Sequence, residues 1–410
     1  MALTFVVAGT GTPSTGAPEC AVKVPAGDTA ALRKAFDDVQ DDADDAGCTT
    51  WELRIAGTYV LDPDDGPLWH EADVPLRVVG PADGTARIAA GGAGTRLIDA
   101  LDGALLTLER LVLADGSVAS VGGDDVGGAV LADAVELIDS ELIDNSATEG
   151  GAVYAREVQA NRVSFVGNGA VGGAGEGGAI RATARVTLVN VTFVDNSATE
   201  GGAVWLLGSG SLTATFVTFV GNSATASGAD LYVDDAPGER LQLRGILFGG
   251  TGSGLSCGGD GFPDDADDLD AVDSFAVDES CAGVTGGVDP LTFTTVPFLP
   301  GTSDLRVPDG GPVAIGQVAC GGVTVDQRGV ARPQGETCDA GAVERVVTGV
   351  TEEPEEPEDD GGSSGGPSGG GTSGPADVAP VDEVPDGPVP TSVPAGDGSC
   401  ADGCPAFSPR

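Results

Sequence analysis

Arginines and aspartates recur at related places along the middle of this chain. Arg156, Arg162, Arg181 and Arg185 fall on consecutive segments, with Asp139, Asp144 and Asp195 beside them. Chemistry on a sugar chain calls for such groups: a cationic base beside Ca2+ for elimination, or converging carboxylates for hydrolysis. No aromatic platform for a sugar is expected to flank these arginines, so they read as solvated or paired surface residues. A second candidate is the run Asp260 to Asp268. Asp260, Asp264, Asp265 and Asp267 supply hard oxygen donors that suit Ca2+. Ser256 and Gly258 stand where upstream ligands would be needed, and a solvated loop is the competing reading. The aspartates at 41–45 read as the end of a helix. No other cofactor is called for.

Eight cysteines fall into four neighbouring pairs: Cys20/Cys48, Cys257/Cys281, Cys320/Cys338 and Cys400/Cys404. None has zinc-site spacing, and His70 is the single histidine. An even count clustered at the two ends of the repeats described below reads as disulfides, hence an oxidising compartment. Eight cysteines allow 105 pairings. Sequential pairing is the economical expectation if residues distant in sequence are distant in space.

The groups are spaced by a repeat. Val135–Asn145, Val158–Asn168, Val186–Asn196 and Leu212–Asn222 superimpose without a gap, and Leu106–Gly116 and Leu241–Thr251 are looser copies. The start points 106, 135, 158, 186, 212 and 241 are separated by 29, 23, 28, 26 and 29 residues. Such a period marks a solenoid, in which each repeat buries its apolar side by stacking on its neighbours. Apolar residues alternate within each copy, which means strand. A phase skip at Val189–Asn190 predicts a bend between two short strands. A second signal lies between the copies: Gly-Gly-Ala-Val or Gly-Gly-Ala-Ile at Gly127, Gly150, Gly177 and Gly201, and a worn copy, Ser227-Gly228-Ala229-Asp230. The residue after Ala should begin a third strand. Coils of three short strands would stack about 4.8 Å apart, parallel and in register.

In-register stacking places like on like. Asn145, Asn168, Asn196 and Asn222 should form an amide ladder, and Phe165, Phe193 and Phe219 an aromatic file. A compatible alternative is that these asparagines cap turns with left-handed backbone.

The pairing of Gly201-Gly202-Ala203-Val204 with Phe193-Val194-Asp195-Asn196 and Phe219-Val220-Gly221-Asn222 resembles the repeats of polymorphic outer membrane proteins and related pectin-lyase-like β-helices. The resemblance covers roughly residues 100–250. Asp326-Gln327-Arg328-Gly329-Val330-Ala331-Arg332-Pro333, followed by Cys338 to Glu344, is similar to the closing segment of bacterial surface proteins with a choice-of-anchor domain. The Asp260 run resembles half of a thrombospondin type 3 loop. These resemblances imply an all-β, right-handed parallel β-helix outside the cell, at a bacterial outer membrane or envelope. They imply no particular chemistry. The expected function is binding, adhesion or an envelope structural role, toward glycans or host or neighbour cell-surface molecules; the alternative is a polysaccharide lyase or glycoside hydrolase.

Composition agrees with an extracellular solenoid. Among 410 residues, 67 are Gly and only 12 Phe, 3 Trp and 3 Tyr, and the net charge is −45. Such a surface repels nucleic acid and anionic membranes. No stretch has the length of a transmembrane helix, and a monomer is expected. Residues 1–20 read as leader or disorder; Ala2–Ala8 is short for a signal peptide, so a truncated or mis-assigned start is expected. Residues 21–73 read as an N-terminal cap with an amphipathic helix that Asp28 caps. Repeats should occupy 74–250, terminal coils and a disulfide-rich closing segment 251–347, and a disordered acidic Pro/Gly/Ser-rich stalk 348–410.

Overall fold

The computed structural model describes residues 19–345, except 43–46, 119–124, 173, 209, 235–240, 251, 263–269, 288–291 and 309–314. Within them the chain is a parallel β-solenoid of about eight turns. Each coil lays a strand on three faces. The first face stacks 19–23, 50–54, 76–79, 106–109, 135–138, 158–161, 186–189, 212–215, 241–244 and 270–272. The second runs from 58–61 through 86–90, 111–114, 141–143, 163–166, 191–194 and 217–220 to 247–248 and 275–276. The third runs from 68–69 through 98–100, 130–132, 153–155, 180–182, 204–206 and 231–233 to 257–258. The ladder thus begins at Glu19, ahead of the stretch read as the N-terminal cap, and continues to Ala276, within the stretch where terminal coils are expected.

Corners come from left-handed residues. Between the first and second faces the corner is Arg110, Asp139, Arg162, Asn190, Phe216 or Asp273, with φ between 48° and 55°. The predicted bend at Asn190 is one of these, with φ 54°. Before the third face the corner is the first glycine of each pair, as at Gly177 with φ 68°. The second glycine of the pair serves close approach instead. A Cβ on Gly178 would meet the Gly202 carbonyl oxygen of the next coil.

The interior is built as files. Phe165, Phe193, Phe219 and Phe248 stack with ring centroids 4.9, 5.0 and 5.1 Å apart and planes within 8°. Asn145 Nδ2 donates to Asn168 Oδ1 at 2.9 Å, Asn168 Nδ2 to Asn196 Oδ1 at 3.0 Å, and Asn196 Nδ2 to Asn222 Oδ1 at 2.9 Å. Each Oδ1 also accepts the backbone N–H of the asparagine before it, and each Nδ2 also donates to a backbone carbonyl. These side chains are buried, so every polar group needs such a partner. The turn-capping alternative is corrected in one respect. The left-handed residue is the one before each asparagine, namely Asp144, Gly167, Asp195 and Gly221.

The ladder ends on Asp230, whose Oδ1 accepts Asn222 Nδ2 at 2.9 Å. This corrects the alignment of the worn copy by one residue. Leu231, not Asp230, pairs with Val204, so Asp230 takes the place that Ala203 fills one coil earlier. A carboxyl in an alanine's interior position supplies the acceptor that the next coil lacks.

The first coil is capped. After residues 19–23 the chain leaves the sheet and forms helix α1 (Thr29–Asp42) where the second and third faces would otherwise continue. Asp28 Oδ1 accepts the Ala31 N–H at 3.0 Å, and Leu32, Ala35, Phe36 and Val39 are buried. The helix packs on 58–61 and 68–69, covering the open edges of those two faces.

The closing segment returns along the second face. A hairpin pairs Phe293–Val296 with Leu305–Pro308, and its tip reaches Thr85, whose hydroxyl donates to the Pro300 carbonyl at 3.0 Å. Ser303 N donates to Glu141 Oε1 at 2.9 Å. Farther along, Gln327 Nε2 donates to the Val163 carbonyl at 2.9 Å, Thr192 Oγ1 donates to Gln327 Oε1 at 2.5 Å, and Ala342 N donates to Thr218 Oγ1 at 2.9 Å. Sequence distance is therefore no guide to spatial distance here. The disulfides Cys20–Cys48, Cys257–Cys281 and Cys320–Cys338 nonetheless join sequential cysteines. Cys400 and Cys404 lie outside the described residues.

Candidate functional site

The four arginines singled out on the middle coils, Arg156, Arg162, Arg181 and Arg185, are all paired. Arg156 holds Asp133 at 2.8 Å and Glu157 at 2.7 Å. Arg162 forks onto Asp139 at 2.5 and 2.7 Å, and Arg185 meets Glu157 at 3.4 Å. Asp144 and Asp195 are left-handed corner residues. Burial, then the charge of Asp115, raises the Asp144 carboxyl above the usual range.

Arg181 departs from expectation. Glu149 and Glu176 converge on its Nε at 2.9 and 2.8 Å, and its Nη1 donates to Tyr154 Oη at 2.8 Å. Its guanidinium lies 4.8 Å from the Tyr154 ring centroid and 4.5 Å from that of Trp205, which in turn stacks on Tyr232 at 6.2 Å. These side chains occupy one outward file of the third face, on the register Tyr154–Arg181–Trp205–Tyr232. The expectation that no aromatic group flanks the arginines is therefore corrected. The file is nevertheless closed. The Arg181 guanidinium lies over a face of Tyr154 and of Trp205, both carboxylates are spent on it, and Trp205 is 3% exposed.

The motif from Asp326 to Glu344 is a clasp. Arg332 Nη1 meets Glu344 Oε2 at 2.7 Å and its guanidinium lies 4.1 Å from the Phe216 ring centroid. Arg328 forks onto Asp326 at 2.9 and 2.7 Å. Arg332, Glu344, Asp326 and Asp339 are all buried, and their charges are answered within the segment. His70 is likewise interior; burial pushes its pKa down to about 4, so it is neutral.

Asp260 is exposed, and Asp264, Asp265 and Asp267 lie outside the described residues. Among the described residues no three His, Cys, Asp or Glu side chains cluster to hold a metal ion, and no helix is long and apolar enough to cross a membrane.

The open site is elsewhere, at the corner of the first four coils. A groove of about 860 Å³ is lined by Lys23, Arg54, Arg77 and Arg110 above short apolar residues that include Ala56, Pro81 and Ala82. Lys23 pairs in register with Arg54, Arg54 with Val79, and Val79 with Glu109, the residue before Arg110; Arg77 pairs with Glu52. One cation therefore stands on each of four successive rungs. Two carboxylates are interleaved. Glu52 binds Arg54 at 2.5 Å and Arg77 at 3.4 Å, and Glu109 binds Arg77 and Arg110. Arg110 Nε also donates to the Pro81 carbonyl at 3.0 Å, which fixes its direction. Lys23 is exposed and the Arg54 side chain is 66% exposed. Sequence reasoning missed this site because α1 interrupts the repeat between Lys23 and Arg54. The available signal was that basic residues are scarce in this chain, so four on neighbouring rungs are conspicuous.

No protein-family model and no curated protein sequence matches this chain.

Proposed function

We propose that this chain is a secreted or surface-displayed β-helix protein that binds its partner without transforming it, in an adhesion or envelope role. The observation that carries this reading is the contrast between two sets of cations. Arg156, Arg162 and Arg181 on the middle coils are each matched by carboxylates of their own, whereas four cations on the first four rungs share the two carboxylates Glu52 and Glu109 beside an open groove. The three disulfides point to an oxidising environment and so to the cell exterior. The Gly-Gly-Ala-Val repeats and the clasp support likeness to polymorphic outer membrane protein repeats with a choice-of-anchor closing segment. Glycans at a cell surface are the fitting partners, and the net charge of −45 disfavours nucleic acid.

The test is a glycan-array screen of the full chain, read alongside a product-release assay on the same glycans. Retention of a glycan without cleavage is the expected result. Cleavage would overturn the reading. One observation favours that second reading, a polysaccharide lyase or hydrolase: the convergence of Glu149 and Glu176 on Arg181 beside Tyr154. Under it, turnover would vanish in Arg181→Ala.

A further inference from the structure

From the exposed indole of Trp69 and the pocket it walls, we infer a site for a neutral sugar, a pyranose ring stacked on Trp69 with its hydroxyls turned to Asp37 and Asp65. This rests on the glycan-binding reading above and names a ligand class and a place for it, apart from the cationic groove. The chain has three tryptophans, and only one is open to a ligand. Trp51 is 7% exposed and Trp205 3%, whereas Trp69 is 46% exposed. Trp69 and Trp205 share one outward file of the third face, which runs Trp69–Asp99–Leu131–Tyr154–Arg181–Trp205–Tyr232. Trp205 is covered because Arg181 lies over its ring and Tyr232 stacks on it. Trp69 begins the file. Its neighbour in register is Asp99, whose carboxylate is held by Arg96, so the indole keeps an uncovered face.

The pocket beside it measures about 360 Å³, room for a sugar ring and its hydroxyls. Its walls are set before a ligand arrives. Arg33, on α1, donates to the carbonyls of Asp65, Gly66 and Pro67 at 3.2, 2.6 and 3.0 Å. Gln40 Nε2, on the same helix, donates to the Trp69 carbonyl at 2.9 Å. Residues 65–69 are thus held in place, and little order has to be imposed on binding. Charge then chooses the ligand. Arg33 and Lys34 balance Asp37 and Asp65 around the pocket, so it offers no excess of either sign to an ion. An anionic glycan would also approach against a net charge of −45. A neutral sugar meets neither obstacle. Its C–H face, slightly positive and apolar, suits the negative face of an indole. Its hydroxyls can donate to the carboxylates of Asp37 and Asp65, both exposed at the rim. An apolar peptide side chain would use the ring but leave those carboxylates unanswered.

The probes are cellohexaose and mannohexaose, titrated calorimetrically into the full chain. Sorbitol, which carries hydroxyls without a ring, is the control. At least one hexasaccharide should bind and sorbitol should not, with affinity changing less than about twofold between low and high salt. Trp69→Ala should weaken binding by about tenfold or more, and Trp69→Tyr, which keeps a ring face, should recover most of it. The side chain is exposed, so both variants should keep the parent's melting temperature. A second readout needs no variant. Trp69 is the accessible indole, so bound sugar should shield tryptophan fluorescence from quenching by acrylamide. Binding by neither hexasaccharide, equal binding by sorbitol, unchanged binding by Trp69→Ala, or no shielding overturns the site. If a glycan array then still retains other glycans, the binding reading stands without it; if the array retains none, both fail. Cleavage of a hexasaccharide whose binding depends on Trp69 would keep the site and overturn the reading that the partner is left intact.

Discussion

Asn196 is the most exacting residue of the interior. It accepts from two donors of Asn168 and donates to Asn222 and to the Phe165 carbonyl. Asn196→Ala removes the acceptor and leaves one buried amide N–H and the backbone N–H of Asn168 unpaired. The expected loss is about 2–4 kcal/mol, read from the shift in denaturant midpoint. Asp230 makes the opposite kind of test. Burial raises its carboxyl from 3.8 to about 7, the neighbouring Asp278 adding to the rise and hydrogen bonds from Asn222 and Ser256 opposing it. In the folded chain the proton stays on to a higher pH than in the unfolded chain. The stability tied to that proton is fully present below pH 4 and is lost as pH climbs through 7. Asp230→Asn should therefore be more stable than the parent at pH 8, by a few kcal/mol, with the gap closing toward pH 4. Thermal melts of both proteins across that range would check it, and a constant difference would refute the assignment.

At the level of the coil, the space left to a glycine by the next rung decides what it tolerates, and two substitutions separate a crowded position from an open one. Gly178 faces the backbone of the next coil and has no space for a methyl group, whereas the nearest atom to a Cβ on Gly169 is Ser197 Oγ at 3.5 Å. Gly178→Ala should cost about 3 kcal/mol by forcing rungs apart, and Gly169→Ala well under 1 kcal/mol. The clasp offers a second test. Arg332→Ala leaves Glu344 buried without its partner, for an expected loss of about 3–5 kcal/mol, while Arg332→Ala/Glu344→Ala should recover part of that loss. What the chain disclosed in advance follows the same division. Coils from 106 to 251 were legible because in-register stacking forces like residues onto like positions, as at Phe193 and Asn196. The earlier coils were hidden by α1, which replaces two strands and breaks the period between Lys23 and Arg54. Asp230 was misplaced because the worn copy carries one extra residue and periodicity was followed past it. The groove was illegible for the same reason as the first coils, since its cations fall on successive rungs only when residues 19–23 are recognised as a rung. Gln327 and Arg332 sit in a conspicuous motif, but nothing in its spacing indicates which face it lies against.

Taken whole, the molecule is a neutral-lined stack inside a strongly anionic skin. With −45 on 410 residues, self-repulsion works against the compact state and salt relieves it. Melting temperature should rise between low and physiological ionic strength, where the screening length falls from about 30 Å at 0.01 M to about 8 Å. A flat response would mean that the surface charges are answered locally. The return of the closing hairpin to Thr85, 215 residues back along the chain, has its own consequence. An ordinary repeat array frays from its ends, because each unit touches only the next. Here a late segment spans rungs made much earlier and ties them together, as a binding holds pages, so that one coil cannot open without loosening the strip that crosses its neighbours. Unfolding should then be a single all-or-none event, and nascent chains should acquire protease resistance only once residues 293–344 have emerged.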